Sequence, residues 1–264
     1  YMNRAPREQE IASMSTSLTS VLQWLDETLP PARFRDYCPN GLQVDGRPEI
    51  RRLATAVTAN QSVLDRAIAG GADALLVHHG YFWKGESEPV VGMKRRRLAA
   101  LLGSDVSLLA YHLPLDAHPE LGNNARLGQL LGIDSPEPLQ PGEPDSVGNV
   151  GELLISAADL CQRLETLTGR TPLLIGAADT QFRRVAWCTG AAQSYIDAAV
   201  AAGADVFISG EISEPTVHTA REESIAYIAA GHHATERYGV QATGEALAQQ
   251  FSLQHQFFDE DNPV

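Results

Sequence analysis

Ala74-Leu75-Leu76-Val77-His78-His79-Gly80 is the stretch that decides the fold. An unbroken run of four apolar residues that meets a glycine reads as a strand of a parallel sheet covered on both faces. Ligand sites in open α/β sheets sit just beyond the carboxyl ends of such strands. His78 and His79 therefore stand where an α/β protein places its chemistry. A lone histidine there is more often a cap for the strand end. Two in a row call for partners, and the chain offers them downstream.

Working outward, Leu53 to Val57 is β-like, and Val63, Leu64, Ala67 and Ile68 make one helical face. Gly70-Gly71 closes that helix, and the quoted stretch returns as a strand. This unit recurs: Arg52 to Val77 aligns without gaps on Arg184 to Ser209, a constant offset of 132 (52 to 184, 77 to 209). Gln61-Ser62 falls on Gln193-Ser194, Asp65 on Asp197, and Gly71-Ala72-Asp73 on Gly203-Ala204-Asp205. Unrelated strand-helix-strand units share an apolar pattern, not polar identities at fixed positions. The predicted class is α/β: two interlinked, duplicated α/β lobes related by a pseudo-two-fold axis, with the site at the seam.

Residues 1–17 are polar and patternless and are expected to be a disordered extension. The first lobe is placed at 18–135, beginning with a helix through Leu18, Val21, Leu22 and Leu25. The Pro- and Gly-rich stretch 136–149 reads as a linker, and 150–264 as the second lobe. The C-terminal helix (Thr235 to Phe251) and last strand (Gln254 to Asp259) are free to pack on the first lobe. Asn123-Asn124 reads as a helix cap.

Past the ungapped repeat, each half has a strand end, a histidine and a carboxylate four residues on: His112 with Asp116, and His232 with Glu236. In a helix's first turn i and i+4 share a face. If the lobes pack about a two-fold axis, both pairs converge on the seam, where His78 and His79 join them. Their counterparts in the second half are Gly210 and Glu211, so the site is asymmetric. The candidate metal ligands are His78, His79, Asp116, His232 and Glu236, with His112, His118, His233 and Glu211 nearby in sequence.

Imidazole and carboxylate without thiolate suit Zn, Mn, Fe, Co or Ni. Three histidines and two carboxylates exceed what one tetrahedral ion needs. With Asp116 or Glu236 bridging, two divalent ions roughly 3.5–4 Å apart are expected. Such a pair lowers the pKa of a shared water and polarises a carbonyl, imine or phosphoryl oxygen. Hydroxide formed there would attack an electrophilic carbon, with His112 or His233 as the proton shuttle. Imidazole binds metal when neutral, so occupancy is expected to fall below about pH 6.

Composition narrows the classes. The net charge of −13 disfavours general attraction to nucleic acid or anionic lipid. No run approaches the roughly 18 apolar residues of a membrane span. Three cysteines (Cys38, Cys161 and Cys188) with no Cys-x-x-Cys argue against a disulfide framework and suit a reducing cytoplasm. A phosphate-cradling Gly-Lys-Ser/Thr loop and Gly-x-Ser-x-Gly are both missing. Tyr81, Phe82 and Trp83 can stack on a planar ring or simply pack a loop. Lys84 and Arg95 to Arg97 read as a solvated face more readily than as an anion site.

Val77-His-His-Gly-Tyr-Phe-Trp83, His112-Leu-Pro-Leu-Asp116 and Gly231-His-His-Ala-Thr-Glu236 resemble the motifs of the Ngg-interacting-factor-three family, and Asn40-Gly41-Leu42-Gln43-Val44 resembles its N-terminal motif. Bacterial members of that family are known as GTP cyclohydrolase I type 2 homologues. The resemblance runs from about Leu18 to the C-terminus. It implies two interlinked α/β lobes, a dinuclear metal centre between them, and a ring-shaped hexamer. Carried over by position, it implies His78, His79, Asp116, His232 and Glu236 as the ligands. Relatives with an inserted middle domain differ from this chain, whose linker is short. Many relatives carry Asp-Asn where this chain has Pro39-Asn40.

The expected function is that of a dinuclear-metal-dependent hydrolase in the cytoplasm. Its substrate would be a small molecule, with C8 of a purine nucleotide such as GTP as the candidate electrophile. The alternative is a non-catalytic metal-binding scaffold or regulatory ring that holds DNA or a protein partner. A third reading is metal storage or delivery.

Overall fold

The computed structural model describes residues 15–143 and 146–264. Residues 1–14, most of the expected extension, lie outside that range. Thr16–Ser17 form a short antiparallel ladder with Glu49–Ile50, and the Ser17 hydroxyl accepts from the Ser20 amide to cap the helix Leu18–Thr28.

Two sheets organise the chain. The first has the strand order Gln254–Phe257, Arg52–Thr58, Ala74–His79, Ser107–Ala110 and Gly41–Val44, parallel except for the last. The second runs Asp134–Pro138, Asn149–Ser156, Gln181–Cys188, Val206–Ser209, Ala226–Ala229 and Leu173–Ile175. Its three central strands are parallel and the rest antiparallel.

Both sheets are covered on both faces, as the apolar strands require. In the first sheet Leu76 and Leu109 face Leu18, Val21 and Leu25 of the first helix and Val240 and Leu247 of the helix Arg237–Phe251. Leu75 and Val77 face Val63 and Leu64 of the helix Gln61–Ala69 and Leu101 of the helix Gly92–Gly103. In the second sheet Trp187 and Ile208 pack on Leu127, Leu131, Leu160 and Leu164, while Phe207 and Tyr227 pack on Ile196, Ala199 and Ala220.

The 132-residue repeat is visible in hydrogen bonds. Oδ2 of Asp73 accepts from the amides of Arg51 and Arg52, both within 2.9 Å; Oδ2 of Asp205 accepts from those of Arg183 and Arg184 at 2.8 Å. Each aspartate follows a left-handed glycine, Gly71 (φ +72°) and Gly203 (φ +69°), that ends the preceding helix. The same polar residue ties the same two amides in each half, so those identities are structural.

The halves exchange elements. The helix Asn123–Leu131 and strand Asp134–Pro138 pack with the second sheet, although they precede the linker. The strand runs into the expected linker, and Pro144 and Asp145 within that linker are outside the described residues. In return the C-terminal helix and strand complete the first sheet. Gly239 brings that helix against the helix Asn123–Leu131, where its amide donates to Asn123 Oδ1 and a Cβ would lie 2.4 Å from that atom. This crossing locks the carboxyl ends of both parallel strand sets toward one another.

Candidate metal centre

His78 and His79 end the strand Ala74–His79, and Tyr111-His112 follows the strand Ser107–Ala110. Asp116 lies on the short helix Leu113–Ala117. From the second sheet, His232 opens a single turn after the strand Ala226–Ala229, and Glu236 sits between that turn and the long helix. The five expected ligands converge. Glu236, 3 % exposed, is at the centre: its Oε1 is 3.4 Å from His78 Nε2, and its Oε2 is 3.3 Å from His79 Nε2 and 3.2 Å from His232 Nε2. Asp116 Oδ1 lies 3.6 Å from His78 Nε2. Two clusters share the one carboxylate: His78, Asp116 and Glu236, and His79, His232 and Glu236.

Every cluster imidazole is held by its other nitrogen. His78 Nδ1 meets the Tyr111 carbonyl at 3.1 Å, and His79 Nδ1 the Thr58 hydroxyl at 3.1 Å. His232 Nδ1 meets Glu211 Oε1 at 2.7 Å, and His112 Nδ1 meets Asp36 Oδ1 at 2.7 Å. The carbonyl and carboxylates on Nδ1 of His78, His232 and His112 can only accept, which fixes the proton there and leaves the Nε2 lone pair to ligate, as supporting residues do for metal-binding histidines; the Thr58 hydroxyl orients the His79 ring. Two buried atoms, His78 Nε2 and Glu236 Oε2, have no hydrogen-bond partner. Orphaned buried polar atoms are costly unless something absent from the protein chain satisfies them. A cation between the imidazoles and the carboxylate does so, and the donor set fits one.

The electrostatics agree. Burial pushes His78 down, but the charges of Asp116 and Glu236 outweigh it and raise it to about 9. His232 likewise resists burial and rises to about 9 through Glu236 and Glu211. Burial and the neighbouring imidazoles drive His79 down to about 3 against the pull of Glu236. Glu236 stays well below the usual carboxylate range, because three imidazoles overcome its burial. Burial raises Asp116 despite His78. Protons on His78 and His232 thus supply the positive charge that the carboxylates demand.

The remaining candidates separate. The His112 ring is 5.0 Å from that of His78 and 5.7 Å from that of His79, so it belongs to the cluster. His233 does not: its Nε2 turns to Asp259 at 3.1 Å, beside Arg237. The His118 Nδ1 accepts the amides of Glu120 and Leu121, away from the ligands. Asn123 and Asn124 are not caps. Gly122 precedes the helix, and both side chains turn inward, Asn123 Nδ2 donating to Asp116 Oδ1 at 2.9 Å and Asn124 Nδ2 to the Asp116 carbonyl.

Sequence reading missed Asp36, Thr58 and Gly190. Asp36 grips His112, the amide of Leu113 and Asn40 at once, and His112 holds it down at about 2 despite burial. Asn40 Oδ1 accepts from the His112 amide at 2.7 Å, so the residue just before the strand Gly41–Val44 supports the site. Gly190 presses against Glu236. Thr58 and Gly190 are equivalent in the repeat, as are His79 and Glu211; that offset was the available signal.

A cleft of about 540 Å³ opens onto the cluster, walled in part by Trp83, Tyr37, Leu113 and Tyr195. No helix among the described residues is long and apolar enough to cross a membrane.

The family model for Duf34/NIF3 (NGG1p interacting factor 3) matches residues 16–263. A Pseudomonas aeruginosa protein named "GTP cyclohydrolase 1 type 2 homolog" is 54% identical over 253 residues, 95% of this chain and 100% of the relative. A Vibrio cholerae protein of the same name is 52% identical over 244 residues, 91% of this chain and 96% of the relative. Among solved structures, protein ybgI, described as of unknown function, has a TM-score of 0.88 at 46% identity and covers 94% of this chain and 100% of its own. TTHA1606 from Thermus thermophilus has a TM-score of 0.84 at 32% identity, with the same coverage.

Proposed function

The chain belongs to the Duf34/NIF3 family, and on that premise we propose that it is a hydrolase dependent on two divalent metal ions, acting on a purine nucleotide or a close relative of one. One observation carries this reading: four imidazoles are each fixed through Nδ1, and three turn Nε2 onto the two oxygens of one buried carboxylate. His78, Asp116 and Glu236 would hold one ion; His79, His232 and Glu236 the other, with Glu236 as the bridge. Zn, Mn, Fe, Co and Ni suit these donors. Bound there, the ions supply Lewis acidity toward substrate and water.

The chain's own residues do the rest. His112, with its Nδ1 proton pinned by Asp36, has Nε2 free to take a proton and return it. His233, turned to Asp259, has no part in that step. Trp83 and Leu113 wall the cleft and exclude water from one side of a bound ring. The relatives named GTP cyclohydrolase 1 type 2 homolog support a purine nucleotide as substrate, and the family resemblance supports a hexameric ring in the cytoplasm.

The test is turnover by protein reconstituted with each of the five metals, against a panel of purine nucleotides, nucleosides and bases. Turnover that needs metal and is abolished by Glu236→Ala is expected. Fully metal-loaded protein with no turnover on the panel, or turnover that survives Glu236→Ala, sinks the hydrolase reading.

A further inference from the structure

Outside the cluster's own imidazoles, the described residues that line the cleft include no lysine or arginine, and the side chains there include aromatic, aliphatic and hydroxylic ones, among them Tyr37, Trp83, Val147, Ser194 and Tyr195. The basic run Arg95 to Arg97 lies on the helix Gly92–Gly103, outside the lining, and Arg97 sits over the ring of buried Tyr81. The cluster itself is rich in carboxylates. Asp116 and Glu236 face the imidazole Nε2 atoms, and Asp36 and Glu211 hold two of the rings from behind. Four carboxylates would balance the charge of two divalent ions, so a phosphate would be held only by direct ligation to an ion, with no side-chain cation of the cleft to take the remaining charge.

Proteins that hold a triphosphate meet it with arginine forks, a lysine, a ring of backbone amides or a metal ion, usually several together. Beyond the candidate metal centre, this cleft has an aromatic platform instead. The Trp83 indole Nε1 donates to the Gly80 carbonyl at 3.1 Å, and its ring stands edge-on to His112 at 5.0 Å. It is thus fixed beside the cluster before any ligand arrives, and its volume of about 540 Å³ lies in the range of small-molecule sites, roughly 300–1,000 Å³.

We infer that the cleft selects an uncharged planar heterocycle, a nucleobase or nucleoside stacked on Trp83, and disfavours a nucleoside triphosphate. This rests on the metal-centre reading above and narrows its substrate. Stacking on an aromatic side chain tolerates any base, because every base has a π-face. Discrimination then comes from the phosphates, which meet no lysine or arginine in the cleft.

The experiment is equilibrium binding of guanosine, GMP and GTP to the full metal-loaded chain, by calorimetry and tryptophan quenching, at low and high salt, with metal content measured in parallel. Guanosine is expected to bind at least tenfold more tightly than GTP, with GMP between, and its affinity should not change with salt. Trp83→Ala should weaken guanosine roughly tenfold or more, and Trp83→Phe should restore most of the loss, both at unchanged metal content. GTP binding more tightly than guanosine, guanosine binding unaffected by Trp83→Ala, or no binding of any of the three overturns the inference. Loss of the ions themselves overturns its premise, whereas two retained ions with GTP preferred overturns the inference alone.

Discussion

Gly190→Ala is the most informative single change, because it displaces the bridging carboxylate without replacing any ligand. Gly190 follows the strand Gln181–Cys188 at φ +71°, and its amide donates to the Thr235 hydroxyl at 3.1 Å. A Cβ there would lie 2.1 Å from Glu236 Oε1, 3.1 Å from its Cδ and 3.4 Å from His232 Nε2. The closest approach real Cβ atoms make is about 3.0 Å, so the overlap is about 0.9 Å. Overpacking of this kind costs about 1–3 kcal/mol, and the left-handed backbone adds about 1–2 kcal/mol for alanine. Gly203→Ala separates the two effects: its φ is +69°, with nothing within 4 Å of the added methyl. Gly203→Ala should lose about 1–2 kcal/mol, a melting shift of roughly 2–8 °C, and keep its metal. In Gly190→Ala the Glu236 carboxylate must also move, and about 3 kcal/mol taken from metal binding is roughly a hundredfold in affinity. Competition against a chromophoric chelator, with melting of both metal-free variants, measures each term. Metal affinity in Gly190→Ala equal to that in Gly203→Ala would refute the bridging role of Glu236.

Other outcomes follow from the same geometry. His78 and His232 sit near 9 in the metal-free protein, above the ordinary 6.5, so their stabilising protons are fully in place below pH 6.5 and lost as pH rises through 9. Melting of the metal-free chain should therefore fall across that window. Metal binding must expel both protons, so affinity should rise over the same range, and calorimetry in buffers of differing ionisation heat should report about two protons released per chain at pH 7. Glu211→Gln frees the ring of His232 from its anchor and should weaken metal binding roughly 10- to 100-fold; Asp36→Asn frees the ring of His112 and should lower turnover at unchanged metal content, and His233→Ala should leave metal content unchanged. Asp73→Ala should cost about 1–3 kcal/mol in denaturant melts, because it removes a buried carboxylate that pairs two amides and exposed Arg47; Asp205→Ala, at an exposed position, should cost less.

Much of this site is legible in the chain because it is built from local signals. Ala74 to Val77 is apolar throughout and must be covered on both faces, which places His78 and His79 at a strand end. The offset of 132 carries polar identities that hydrogen bonds now explain, with Asp73 and Asp205 tying matching amide pairs. The His112/Asp116 and His232/Glu236 pairs are visible for the same reason, each lying within one or two turns of chain. What is not legible is long-range. His112 takes its partner Asp36 from 76 residues away, and His78 takes the Tyr111 carbonyl from 33 residues away, a backbone atom that no residue type announces. Asn123 and Asn124 look like caps because a capping asparagine and one buried against a carboxylate share a sequence position; the difference lies in the packing of the helix Arg237–Phe251, whose Gly239 leaves room for Asn123 to reach Asp116. His233 follows His232, whose ring faces Glu236, but in a helical turn the next residue points roughly 100° away, here toward Asp259. Of the exchange across the linker, the C-terminal helix and strand are the part the sequence left open, whereas the placing of Asp134–Pro138 is invisible to composition, since each of its residues is exposed and it carries no apolar signature of the sheet it joins.

Anomalous diffraction from crystals of the chain soaked in a divalent metal tests the central claim most directly. Two peaks are expected on either side of Glu236, one beside His78 and Asp116, the other beside His79 and His232. A single peak, or peaks that leave Glu236 without a metal, would contradict the shared carboxylate on which the account stands.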